Sequence, residues 1–266
     1  MILLGFAAFG TAKGLRNSQN TGKSQPGVMV NASAILASFL YLVICALTIL
    51  PALNSADTGL SLSLGGAVAL IGLVYLGLGL WYFCEQQLRG LSVMLFVLAM
   101  LCCLGLLYTD SSYLIDRQGW ALYLHLGLSL AAYAFISFAA LLTIIEPWQS
   151  ARLRKRPGVA TYYIPPLESL DSQTFKLIGS GFVLLSMALL TGFFFLENML
   201  SQHLNHKVVL SILSWLVFAI LLLGRWRLGW RGKTAMRLAL LGFGLLLLAY
   251  FGSKWVLEVL LQRSWS

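Results

Sequence analysis

The chain has 266 residues, of which 59% are hydrophobic and only 10% charged. Soluble domains carry about a quarter charged residues and under half apolar ones, so this composition excludes a soluble globular domain and a disordered tail. The net charge of +9 does not require nucleic acid as a partner if the basic residues gather in alternate loops of a membrane protein.

Eight apolar segments follow along the chain, at 1–14, 29–52, 61–84, 91–108, 120–146, 175–198, 207–224 and 235–260. About 20 residues at 1.5 Å rise cross about 30 Å of hydrocarbon, and all but the first segment reach or approach that length. No basic residue precedes segment 1–14, while Lys13 and Arg16 close it, which orients its N-terminus outward. Lipid offers no partner for an unpaired backbone group, so each segment is expected to be helical. The alternation of a membrane β-barrel is absent. The expected fold is all-α: one polytopic membrane helix bundle over 1–266, with about eight transmembrane helices. Gly65, Gly66, Gly77, Gly79, Gly179, Gly181 and Gly242 would let these helices pack closely.

With the N-terminus outside, 14 of the 18 Lys and Arg residues fall in inner loops. Four fall outside: Arg117, Lys207, Lys254 and Arg263. This asymmetry predicts an N-out, C-out topology. The runs 151–156 (ARLRKR) and 225–233 (RWRLGWRGK) then read as cytoplasmic stop signals, with Trp226 and Trp230 as interfacial anchors. The partner so implied is the lipid bilayer, and no nucleic acid. The fifth segment ends at Glu146, making 147–174 the longest loop. Within it Pro166 starts the next helix, with Glu168 and Asp171 in its first turns, where the helix dipole favours acids.

Cys45, Cys84, Cys102 and Cys103 lie in or beside apolar runs, without a CxxC or CxxCH pattern, and read as small buried hydrophobes. No nucleophile elbow, HExxH or Walker motif occurs in a suitable context, so no independent hydrolase is expected. A transporter would call for paired broken helices and midplane charge, which are missing.

All three histidines fall near the outer face: His125 one turn into the fifth segment, His203 and His206 in the loop entering the seventh. Lys207, Lys254 and Glu258 join them there. Three uses stand open for the histidines. They are interfacial side chains bonded to backbone or water, ligands of a metal ion, or a bis-histidine grip on one haem iron. A metal ion would need further donors, which the neighbourhood lacks. The haem grip needs only two imidazoles from two helices, such as His125 and His206, with His203 as substitute. Lys207 or Lys254 would then pair with propionates.

The stretch HLGLSLAAY (His125 to Tyr133) carries an aromatic eight residues after its histidine. Together with PPLESLDSQTFKLIGSGF (Pro165 to Phe182) and the long run from Gly192 to Gly232, it resembles the CcsA-type cytochrome c assembly family. The likeness is to the family's short bacterial inner-membrane branch of YpjD- and HemX-like proteins. It continues weakly through LAYFGSKWVLEVL (Leu248 to Leu260) and covers about half of the chain, the first four segments matching only in hydropathy. It implies haem handling at the outer, periplasmic face of a bacterial inner membrane, with a membrane or periplasmic protein of cytochrome biogenesis as a further partner. It also implies that His125 occupies a family histidine position. His203 and His206 are candidates from this sequence alone. The family's tryptophan-rich haem-presenting segment has no counterpart, because the corresponding loop reads LENMLSQHLNHK. That loss puts a haem-ligating enzyme activity in question, and it suits an alternative role as a regulatory or scaffold membrane protein that binds a protein partner and no haem.

Overall fold

The structure, a computed structural model, describes residues 60–62, 64–85, 88–104, 113–115, 120–155, 165–195 and 205–249, with Tyr41 and Val43. These residues divide between two compact units. Among the described residues there are six helices and a short two-stranded ribbon, against about eight spans expected for the whole chain. Segment 1–14 lies outside the described residues, and 29–52 is described only at Tyr41 and Val43.

In the first unit, β1 (Leu60–Leu62) pairs antiparallel with β2 (Tyr113–Ile115), Leu60 opposite Ile115. Helices α1 (Leu64–Cys84) and α2 (Arg89–Leu104) form a hairpin. Its turn is closed by the Glu85 and Leu88 amides, which donate to the Tyr82 and Glu85 carbonyls, and by Arg89 Nε, which donates to the Phe83 carbonyl (3.0 Å). Gly79 brings α1 against Phe96, since a Cβ there would lie 2.9 Å from the ring. Gly77 faces open space. Residues two apart point about 200° apart on a helix, so only one of the pair can be a packing glycine.

Among its described residues the second unit holds four helices: α3 (Trp120–Lys155), α4 (Leu167–Phe195), α5 (Asn205–Leu228) and α6 (Lys233–Leu247). Each packs on two neighbours in the cycle α3–α4–α5–α6–α3, so α3 and α5 stand on one diagonal and α4 and α6 on the other. Gly181 seats α4 on Ile136, and Gly242 seats α6 on Phe218, with Cβ approaches of 2.6 and 2.8 Å. Gly179, like Gly77, meets nothing. The outward residues of α4 (Val183, Met187, Leu190, Phe194) form an exposed apolar stripe at helical spacing. On α5, Val209, Leu213, Leu216, Ile220 and Leu223 do the same. Exposed apolar area on this scale belongs against lipid. Among the described residues, four helical stretches are long and apolar enough to cross a membrane: Gly66–Cys84, Ala121–Arg154, Leu167–Phe194 and Lys207–Leu228.

Two boundaries and one burial differ from the sequence reading. Helix α3 runs through Pro147 to Lys155, about 54 Å in all. Pro147 removes one backbone donor, and the helix continues through it. The expected loop 147–174 therefore loses 147–155 to α3 and 167–174 to α4, which begins directly after Pro166. Cys84, expected to be buried, is exposed at the end of α1, while Cys103 is buried.

Candidate functional site

Consecutive helices of the second unit run antiparallel, and side-chain ties fix which ends meet. His125 of α3 reaches Ala188 of α4. Trp215 of α5 donates to Ser186 Oγ of α4 (2.8 Å), and its ring stacks on Phe182 at 5.4 Å. The Tyr133 hydroxyl of α3 donates to the Leu246 carbonyl of α6 (3.1 Å), and Ser214 donates to the Gly242 carbonyl (2.7 Å). One end of the bundle therefore gathers the start of α3, the end of α4, the start of α5 and the end of α6. At the opposite end, Asp171 of α4 meets Arg225 of α5.

At the first end, His125 Nδ1 lies 2.8 Å from the Ala188 carbonyl oxygen and 3.3 Å from Thr191 Oγ1. A carbonyl can only accept, so Nδ1 carries the proton and donates it. The neutral ring then keeps its lone pair on Nε2, which none of the described residues hydrogen-bonds. The Thr191 hydroxyl donates to the same Ala188 carbonyl (2.9 Å), so one carbonyl anchors both side chains. This is the state a metal-ligating histidine needs, with one nitrogen committed to backbone and the other basic and open. Among the described residues, no group of three or more His, Cys, Asp or Glu side chains could hold a metal ion.

The other expected site residues are placed as follows. Lys207 is half-buried in the first turn of α5, at the same end of the bundle as His125. His206 precedes it, with its backbone inside α5. His203 and Lys254 lie outside the described residues. Bundle geometry thus brings His125 to the end where α5 begins, on helices that stand diagonally.

At the opposite end, Arg225 Nη2 donates to Asp171 Oδ2 at 2.5 Å, and its guanidinium lies 4.1 Å from the centre of the Phe175 ring. Arg225 Nη1 also donates to the Trp230 carbonyl (3.2 Å), and Arg231 Nε stands 3.6 Å from Asp171 Oδ2. The turn between α5 and α6 needs two left-handed residues, Gly229 (φ 64°) and Gly232 (φ 60°). Trp230 folds onto Gly224, where a Cβ would overlap its ring. Trp230 is thus half-buried against its own turn, whereas Trp226 is 74% exposed. Sequence reasoning missed the Asp171–Arg225 pair, since 54 positions separate the partners and each had a sufficient local explanation.

These features define an integral membrane helix bundle with a backbone-anchored histidine at one end and a basic collar at the other. Residues 32–261 match the family model for cytochrome c assembly proteins, and the chain belongs to that family. The match reaches well into the first half, beyond the region where the sequence alone shows the likeness. The chain is 37% identical over 136 residues to the inner membrane protein YpjD of Escherichia coli, covering 51% of this chain and 52% of that one. It is 36% identical over 141 residues to an uncharacterized 28.8 kDa protein of Azospirillum brasilense, covering 52% of each. It is 31% identical over 110 residues to the cytochrome c biogenesis protein CcsA of a Synechococcus strain, covering 41% of this chain and 32% of that one. The chain thus spans about half the length of the first of these relatives and a third of the last. No solved structure matches it. Family membership supports a haem-related assembly role in a membrane.

Proposed function

We propose that this protein handles haem at the outer, periplasmic face of a bacterial inner membrane in cytochrome assembly, holding the iron through His125. The observation that carries this reading is the Nδ1–H to Ala188 carbonyl bond, which leaves Nε2 as the free donor nitrogen. His206, on the diagonal helix at the same end, is the second ligand, with His203 as its substitute. Lys207 and Lys254 pair with propionates. Haem held there would supply one-electron redox chemistry at its iron. The protein's own part is to hold and orient the imidazoles and to surround the ring with apolar helix ends. The described basic residues of this unit support the orientation: Arg152, Arg154, Arg225, Arg227 and Arg231 sit at the opposite end against Lys207 at this one, so the opposite end faces the cytoplasm under the positive-inside rule.

Protein purified from haem-supplied cells should show a Soret band that shifts on reduction. The double variant His125→Ala, His206→Ala should lose it. Identical spectra would remove the ligand assignment. The loop LENMLSQHLNHK, which lacks tryptophan, favours a second reading, a HemX-like regulatory or scaffold protein that binds a membrane partner and no haem. A stable protein partner recovered from haem-depleted membranes, together with a featureless Soret region, would select it.

A further inference from the structure

The basic collar has more structure than the positive-inside rule demands. Topology needs charge on one side only and is indifferent to its arrangement. Here two exposed tryptophans stand at one depth of the bundle. Trp148 of α3 (55% exposed) is two residues from Glu146, whose carboxyl interacts electrostatically with Asp171 and Arg225. Trp226 of α5 (74% exposed) directly follows Arg225. Each ring carries a guanidinium of its own helix: Arg152 lies 5.4 Å from the Trp148 centroid and Arg227 lies 4.6 Å from that of Trp226. Arg225 is committed to Asp171 and exposed Arg231 approaches the same carboxylate at 3.6 Å, whereas exposed Arg152 and Arg227 form no salt bridge among the described residues. Helix α6 adds exposed Lys233 and has no acid in its first turn. This is a surface with an apolar, ring-bearing side toward the acyl chains and a fixed cationic side toward the headgroups.

We propose that the collar is a selective binding surface for anionic phospholipid headgroups, in which Trp148–Arg152 and Trp226–Arg227 are two preformed clamps. The tryptophan seats at the headgroup–acyl boundary, and the guanidinium, steered by the ring face, donates to a phosphodiester oxygen. The surface does not involve His125 and stands or falls without the haem reading.

The test uses the full chain, delipidated in neutral detergent and offered phosphatidylglycerol or phosphatidylcholine of the same acyl chains, with bound lipid counted by native mass spectrometry. Wild type should retain phosphatidylglycerol preferentially. Arg152→Gln with Arg227→Gln should lower that preference roughly 10- to 30-fold, at about 1 kcal/mol per basic residue. Trp148→Leu with Trp226→Leu keeps the charge and should lower it less, while the helical circular dichroism of both variants stays as in wild type. Equal retention of the two lipids by wild type, or an unchanged preference in the arginine variant, would overturn the proposal. So would inorganic phosphate at millimolar concentration displacing the lipid completely, because the collar would then be a soluble-anion site. A variant that loses its helicity is replaced by Arg152→Lys with Arg227→Lys. These keep the charge without the planar fork, and they should retain most of the preference if simple charge dominates and lose most of it if the clamp geometry does.

Discussion

The two ends of the four-helix unit are built from different chemistry. At the collar end, an ionic cluster (Asp171, Arg225, Arg231) is fastened to an aromatic ring and to the carbonyl of the next turn. At the histidine end, the ties described between helices carry no ion pair: His125 to Ala188, Tyr133 to Leu246, Ser214 to Gly242 and Trp215 to Ser186 are neutral hydrogen bonds, with the Trp215 ring stacked on Phe182. The side chains of Arg225 and Asp171 are only 20% and 14% exposed, so their partnership replaces water that each would otherwise need. The contrast teaches that basic residues counted alike by a topology rule do unlike things. Arg225 is part of the frame, and its exposed neighbours are part of the surface.

The largest expected effect lies at the frame. Asp171→Leu strands a mostly buried guanidinium and should cost about 3 kcal/mol, read as a drop in the unfolding midpoint in mixed micelles. Asp171→Leu combined with Arg225→Met should cost less than Asp171→Leu alone, because the uncompensated charge is gone. A double variant worse than the sum of the singles would break the comparison, since the collar would then depend on the charges in some further way. Next comes the α3–α4 seam. Gly181→Ala drives a Cβ into the fully buried Ile136 and should cost about 1–3 kcal/mol. Gly179→Ala, which meets nothing, should be neutral or stabilise by up to about 1 kcal/mol. Equal effects at the two glycines would mean that α4 is rotated from the face described.

These two glycines also mark how far the sequence is legible. Composition alone forces membrane helices, because lipid leaves no alternative for the backbone, and the long spans appear where the apolar runs are. Which of two glycines two residues apart faces a neighbour depends on the azimuth of the helix, and uniform hydrophobicity does not encode that. A proline reads as a stop in a local view, yet α3 passes through Pro147 at the loss of one backbone donor. His125 is legible as a rare polar side chain at the edge of an apolar run. Its partner is not, since a backbone carbonyl leaves no mark in the sequence. Thr191 is the one visible trace, a hydroxyl one turn past Ala188 in an apolar span. The family likeness was legible through His125 and Tyr133, and the tie from Tyr133 to Leu246 supplies a physical role for that aromatic.

Smaller effects sharpen the neutral end. Trp215→Phe keeps the stacking on Phe182 and removes only the indole donor to Ser186, so it should cost about 1 kcal/mol in the same unfolding measurement. A loss of 3 kcal/mol or more would make this end as rigidly framed as the collar.

The smallest change belongs to Thr191→Val, an isosteric removal of a hydroxyl whose hydrogen bond stays within its own helix. Stability should move by about 0.5 kcal/mol or less. Its value lies in the imidazole. The Ala188 carbonyl, at 2.8 Å from Nδ1, is nearer than the threonine oxygen at 3.3 Å, so the carbonyl holds the proton on Nδ1. Nitrogen-15 NMR of the labelled ring should therefore report a proton on Nδ1 in wild type and variant alike, with Nε2 unprotonated at a pH where the ring is neutral. A switch of the proton to Nε2 in the variant would show that the hydroxyl sets the tautomer. The nitrogen offered to a ligand would then be governed by one side chain, and substitution at 191 would become the most direct way to close the site.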